Sequence, residues 1–141
     1  MRSNASSDPA RIPVVAAALR TPIGRINGTL AAIEPASLAV PLIRRILADT
    51  GLAPDAVDDV ILGNAANSAG NLARLAALEA GLPVAVPGLT VDRQCGSGLE
   101  AIALAARLVQ AGAGRFYLAG GTGSSSRAHL RFRPHAMLGG E

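Results

Sequence analysis

Residues 91–100 read VDRQCGSGLE, and they contain the one cysteine of a 141-residue chain. A thiolate is a strong nucleophile, and its reactivity is set by the groups around it. A short β-branched run ends at Val91, and apolar residues resume at helical spacing from Leu99. Cys95 is therefore predicted at the carboxyl end of a strand and the amino end of a helix, where open α/β sheets build their sites. The unpaired amides of a helix start favour an anion there, and Arg93 adds a positive charge. Gly96 and Gly98 permit a tight turn and a close approach of substrate to backbone. A lone cysteine is more often a small buried hydrophobe, yet flanking Arg, Gln, Gly and Ser point to an exposed, reactive thiol.

Other chemistries find little support. One cysteine makes no internal disulfide, and with two histidines it makes no metal set, so no metal and no bound cofactor is expected. His129 and His135 fall in an aperiodic Ser-, Gly- and Arg-rich tail and read as exposed loop residues. All thirteen basic residues are arginine against ten acidic ones, a net charge of +3. They are scattered, with one Tyr and two Phe as the only aromatic residues, so nucleic acid is not an expected partner. Arg44 and Arg45 read as the wet face of a helix. The stretch AGGTGSSS follows a predicted strand in the manner of a phosphate loop, but the chain has no lysine and Pro134 soon intervenes. No stretch approaches the roughly 18 apolar residues of a membrane span, and the polar opening lacks an apolar signal core. The expectation is a cytoplasmic protein with no membrane partner.

The elements that must position Cys95 follow from periodicity. Residues 1–11 read as a disordered arm. IPVVAAAL, residues 12–19, is a continuous apolar run with β-branched members and reads as a buried strand, and RTPIGRINGT after it as a loop. From Ser37 a helical pattern places Leu38, Leu42, Ile43, Ile46 and Leu47 on one face, with Pro41 near its start and Gly51 as its stop. Val60–Leu62 is a short strand, and NLARLAALEAGLP a second amphipathic helix. GLTV is a strand leading into Cys95. Leu99, Ile102, Ala106 and Val109 form the stripe of a third helix closed by Gly112, and RFYLAGG is a further strand. The alternation predicts an α/β layered sheet.

With those residues in place, VDRQCGSGLEAIALAARLVQAG resembles the nucleophile segment of the thiolases, the acetyl-CoA acetyltransferase and 3-ketoacyl-CoA thiolase family. RTPIGRINGTL, VDDVILGN, NLARLAALEAGLP and the AGG closing the last strand agree in order, so the resemblance spans about residues 12–126. It implies the N-terminal half of a thiolase-like layered fold with an incomplete mixed sheet. Residues 12–121 would form the half-domain, and residues 122–141 the start of a loop or insertion region. It also implies that Cys95 accepts the acyl group in a two-stage transfer, its own backbone N–H serving as one oxyanion donor. Coenzyme A thioesters are then the substrates, with acyl-CoA, CoA and other thiolase-like chains, in a homo- or hetero-oligomer, as partners. Ketoacyl synthases share the fold and a cysteine nucleophile, but QCGSGLEA and RTPIGR fit a thiolase better.

In thiolases an Asn-Glu-Ala-Phe histidine, a Gly-His-Pro histidine and a Cys-x-Gly-Gly-Gly cysteine follow in the later half, together with a fifth strand and a CoA-binding insertion. This chain has none of those segments, so it reads as an amino-terminal portion. The alternatives are a non-catalytic interaction subunit and one half of a split enzyme needing a partner chain. Within the matched region Thr122, Gly123, Ser124, Ser125 and Ser126 replace the usual Met-Glu-Ser-Met-Ser. The segment after Asn64, near the subunit contact in thiolases, is slightly short. Asn71 and Arg74 match residues common in the family and read equally well as a helix start and its solvated face.

Overall fold

The computed structural model describes residues 11–66 and 70–129. The expected arm, apart from Arg11, and the tail beyond His129, with His135 in it, lie outside those residues. Three helices and three strands alternate: α1 Pro35–Thr50, β1 Asp59–Gly63, α2 Leu72–Ala80, β2 Gly88–Val91, α3 Ser97–Ala111 and β3 Tyr117–Gly121. Each helix ends at a glycine with positive φ, Gly51 at 66°, Gly81 at 93° and Gly112 at 72°, where a Cβ would be strained.

The strands form one sheet in the order β2-β1-β3, with both pairings parallel. The fold class expected from the sequence is therefore present, an α/β layered arrangement with an incomplete sheet. The antiparallel strand that a mixed sheet needs is not among the described residues. Side-chain alternation along β1 splits the core in two. Val60 and Leu62 face the cluster formed with Ala36, Ala39 and Ile43 of α1 and Leu72, Ala73, Ala76 and Ala77 of α2. Ile61 faces the other way, onto Ala101 and Ala105 of α3. The small residues of α2 and α3 let helix backbones lie close to the sheet, which compensates for the scarcity of aromatic side chains.

Three expectations fail. Residues 12–19 form no strand, and Val14 and Val15 are 82% and 77% exposed. The apolar run has strand composition, but a strand exists only through its neighbour, and no described segment pairs with it. On α3 the buried positions are Ser97, Ala101 and Ala105, whereas Leu99 and Ile102 of the expected stripe are exposed. The helix is apolar nearly all round, so periodicity alone does not select its inner face. Helix α1 also starts two residues earlier than expected, at Pro35, which moves Pro41 into its interior, where a proline cannot donate to the carbonyl of Ser37.

Candidate active site

Because the three strands are parallel, their carboxyl ends share one edge of the sheet. The chain leaves β1 for β2 on one side, and later returns to place β3 on the other. Such a switch opens a crevice outside the carboxyl ends. Here a cleft of about 340 Å³ lies at that edge, lined among others by Gly63, Asn64, Gln94, Ser97, Gly121 and Thr122. Asn64 is buried and ties the loops together: its N–H donates to the Val91 carbonyl at 2.9 Å, and its Nδ2 to the Thr122 carbonyl at 2.7 Å. Thr122 Oγ1 in turn donates to the Pro35 carbonyl at 2.6 Å, fastening the start of α1 to the same edge.

Cys95 stands beside this cleft, exposed, between the end of β2 and Gly96, the residue that caps α3. The sequence expectation for its position is met. The turn that carries the thiol is tight. Gly96 N–H donates to the Arg93 carbonyl and Ser97 N–H to the Gln94 carbonyl, both at 3.1 Å. Gln94 has φ of 51°, the left-handed region that costs a non-glycine residue on the order of 1–3 kcal/mol.

What holds Gln94 there is on its neighbours. Ser97 is buried, and its Oγ accepts from Arg93 N–H at 2.7 Å while donating to the Gln94 carbonyl at 2.6 Å. Asp92 Oδ1 accepts from Gln94 N–H at 2.9 Å. On the outside Arg93 pairs with Glu100 at 2.5 Å, so the expected assistance of its charge to the thiol is shared with a carboxylate. An exposed pair of this kind contributes about 0–1 kcal/mol. Residues 92–96 of the turn are exposed, and Ser97 is the one buried side chain among these fastenings.

The start of α3 is also set by close backbone approach. A Cβ at Gly63 would overlap the backbone of Ser97 and Gly98, and one at Gly121 would crowd the Gly98 Cα at 3.1 Å. Glycines on β1, β3 and α3 thus let the helix start sit directly on the sheet edge. Sequence reasoning did not single out Ser97, Asn64, Gly63 or Gly121. A signal existed for the first: Ser97 and Glu100 have capping-box spacing. In the structure, however, Ser97 bonds backward into the turn, and Glu100 turns to Arg93 and Arg107.

The remaining candidates are structural. Asn71 caps α2 by accepting from Arg74 N–H at 3.1 Å, donates to the Gly88 carbonyl at 2.5 Å and accepts from Thr90 Oγ1 at 2.8 Å. Arg74 is no solvated side chain, because its guanidinium donates to the carbonyls of Val84 and Val86. His129 is exposed. The glycine- and serine-rich stretch after β3 makes only a single 3₁₀ turn, Ser125–Arg127. It packs on the 20–34 loop through Asn27 N–H to Ser126 Oγ at 2.8 Å and through Arg127 to the Ala31 and Ala32 carbonyls and Glu34. Among the described residues, no group of three or more His, Cys, Asp or Glu is placed to hold a metal ion. No helix among them is long and apolar enough to cross a membrane.

Comparison with known proteins settles the ancestry. Residues 13–139 match the family model described as thiolase, N-terminal domain. This chain belongs to the thiolase family. A Bacillus subtilis protein provisionally named acetyl-CoA C-acetyltransferase YhfS is 52% identical over 128 residues, covering 88% of this chain and 34% of that protein. A Staphylococcus aureus relative, provisionally named acetyl-CoA C-acetyltransferase VraB, is 48% identical over 125 residues, covering 88% and 33% respectively. The crystal structure of the Bacillus anthracis acetyl-CoA acetyltransferase superposes with a TM-score of 0.79 at 39% identity, covering 83% of this chain and 30% of that one. The chain thus spans about a third of the length of these thiolase relatives.

Proposed function

We propose that this chain is the acyl-accepting part of a thiolase-type acyltransferase acting on coenzyme A thioesters, with Cys95 as its nucleophile. The observation that carries the reading is the placement of an exposed thiol at the carboxyl edge of a parallel sheet and the start of α3. In the proposed first stage the Cys95 thiolate attacks the thioester carbonyl. A new carbon–sulfur bond forms, and the tetrahedral oxygen rests on the Cys95 N–H. The bond to CoA then breaks, and CoA leaves as a thiolate that takes up a proton. In the second stage, a Claisen condensation, the α-carbon of another acyl-CoA gives up a proton to a base and attacks the acyl-enzyme carbonyl, so that a carbon–carbon bond forms as the bond to Cys95 sulfur breaks. In the thiolytic direction Cys95 attacks the 3-keto carbon of a 3-ketoacyl-CoA, the carbon–carbon bond breaks as the departing acyl-CoA carbanion takes up a proton, and the acyl group on Cys95 then passes to CoA. The histidines and second cysteine that the family uses for proton transfer are supplied by thiolase segments other than those in these 141 residues.

A second reading, a subunit or split half that works by pairing with another thiolase-like chain, rests on a different observation. The Ile12–Leu19 run is apolar and exposed, with strand composition and no described strand neighbour. Exposed apolar segments of this kind mark interaction surfaces.

Intact-mass measurement after incubation with acetyl-CoA tests both. A gain of one acetyl group that disappears in Cys95→Ser supports the nucleophile. Acetylation only after adding the remaining two thirds of a relative such as YhfS supports the split reading. No acetylation of Cys95 in either mixture overturns the proposed activity.

A further inference from the structure

Resting on the reading of Cys95 as nucleophile, we infer that Ser97 is its positioning residue: a buried hydroxyl clasp that holds Gln94 in the left-handed conformation and so fixes where the thiol points. Three observations meet at this turn. Gln94, directly before the cysteine, has φ of 51° although it is not glycine. The Ser97 hydroxyl works within the turn, accepting from Arg93 N–H at 2.7 Å and donating its one proton to the Gln94 carbonyl at 2.6 Å, and Ser97 itself is only 5% exposed. The backbone behind Ser97 is pinned in turn, because Gly63 of β1 leaves no room for a side chain between strand and helix. The clasp therefore ties the strained residue to the closely packed sheet edge, while Asp92 fastens it from the solvent side and the exposed Arg93 is held to Glu100.

If the hydroxyl is there to offset the strain at Gln94, the two residues are energetically coupled. Glycine adopts positive φ without penalty, so Gln94→Gly removes the need for the clasp. Loss of the clasp in the natural background frees the turn, and Cys95 then spends less time against the amides that start α3, where a thiolate is most reactive. A serine that only fills space or supports the fold at large has no reason to care which residue occupies position 94.

The test uses the full chain in four forms: natural, Ser97→Ala, Gln94→Gly and the double variant. Alkylation of Cys95 by iodoacetamide at one neutral pH is followed by intact mass, with thermal unfolding measured alongside. Ser97→Ala is expected to slow alkylation about fivefold, and adding Gln94→Gly is expected to bring the rate back to within about twofold of the natural chain. Equal slowing by Ser97→Ala in both backgrounds, or no slowing in a folded Ser97→Ala protein, overturns the inference. A Ser97→Ala chain that fails to fold while the double variant folds and reacts normally supports it; failure of both overturns it. The clasp is judged by alkylation and the nucleophile by acetyl-CoA, so an alkylated but never acetylated Cys95 refutes the proposed function while leaving the clasp intact.

Discussion

The two faces of the sheet are built by different means. Among the described residues, Val60 and Leu62 belong to a cluster of twelve buried residues on the α1 and α2 face, whereas on the α3 face Ile61 meets only Ala101 and Ala105 as buried neighbours. The first face is held by side-chain burial, at roughly 25 cal/mol per Å² of apolar surface removed from water. The second is held by backbone proximity at Gly63, Gly98 and Gly121, and by polar fastenings such as Ser97. The helix on that second face keeps Leu99 and Ile102 outward, exposed at 74% and 46%. Stability is concentrated on one face and the reactive turn on the other, so substitutions should separate the two properties.

The largest effect is expected from Gly63→Ala. The added methyl must displace the backbone of Ser97 and Gly98, not a flexible side chain, and overpacking of this kind costs about 3 kcal/mol or more. Urea denaturation reports the loss, and iodoacetamide reports the shifted thiol. An unchanged Cys95 alkylation rate in a folded Gly63→Ala protein would break the link between β1 and the turn.

Leu62→Ala tests the opposite face. Leu62 is 6% exposed within the larger cluster, and its truncation is expected to cost about 2–3 kcal/mol. Among molecules that remain folded, alkylation and acetylation of Cys95 should proceed at the natural rate. A reactivity loss as deep as that of Gly63→Ala would dissolve the distinction between the faces.

The smallest effect concerns two adjacent carboxylates with opposite pH signs. Asp58 accepts the N–H groups of Phe116 at 2.9 Å and Arg115 at 2.6 Å, and these bonds hold its carboxyl below the usual range. Asp59, on the α3 face beside Tyr117 in register, has an Oδ1 that is buried without a partner, and burial pushes its carboxyl up. The contribution of Asp58 is present above the unfolded carboxylate range and is lost as pH falls through its lowered value. For Asp59 the folded state binds its proton more tightly, so its contribution is favourable in acid and is lost as pH rises through its raised value. Asp59→Asn should therefore remove a component of stability that declines with rising pH, by less than about 1 kcal/mol. Urea titrations between pH 4 and 7 on both proteins check this. An unaltered pH slope would show that Asp59 is solvated after all.

Much of the molecule was legible in the chain. The helices announced themselves through Gly51, Gly81 and Gly112 after amphipathic runs, and Cys95 through its seat between GLTV and an apolar periodicity. What could not be read depends on neighbours distant in sequence. Residues 12–19 carry strand composition, but composition does not provide a partner for their amides. The stripe Leu99, Ile102, Ala106 and Val109 is helical in spacing, yet an apolar helix offers two candidate inner faces. Asn71 and Arg74 matched the family equally as site or scaffold until their bonds to Gly88, Thr90, Val84 and Val86 showed scaffold.

By itself the sequence determined the alternation of elements, the thiol at a strand-to-helix turn and the resemblance to thiolases, because these follow from local periodicity, turn residues and a contiguous motif. Only the tertiary structure decided which face of α3 meets the sheet, that Gly63 and Gly121 make room for its first turn, and that Ser97 fastens Gln94. Those outcomes depend on which backbones come within van der Waals contact, a property of the packed sheet edge that no single segment encodes.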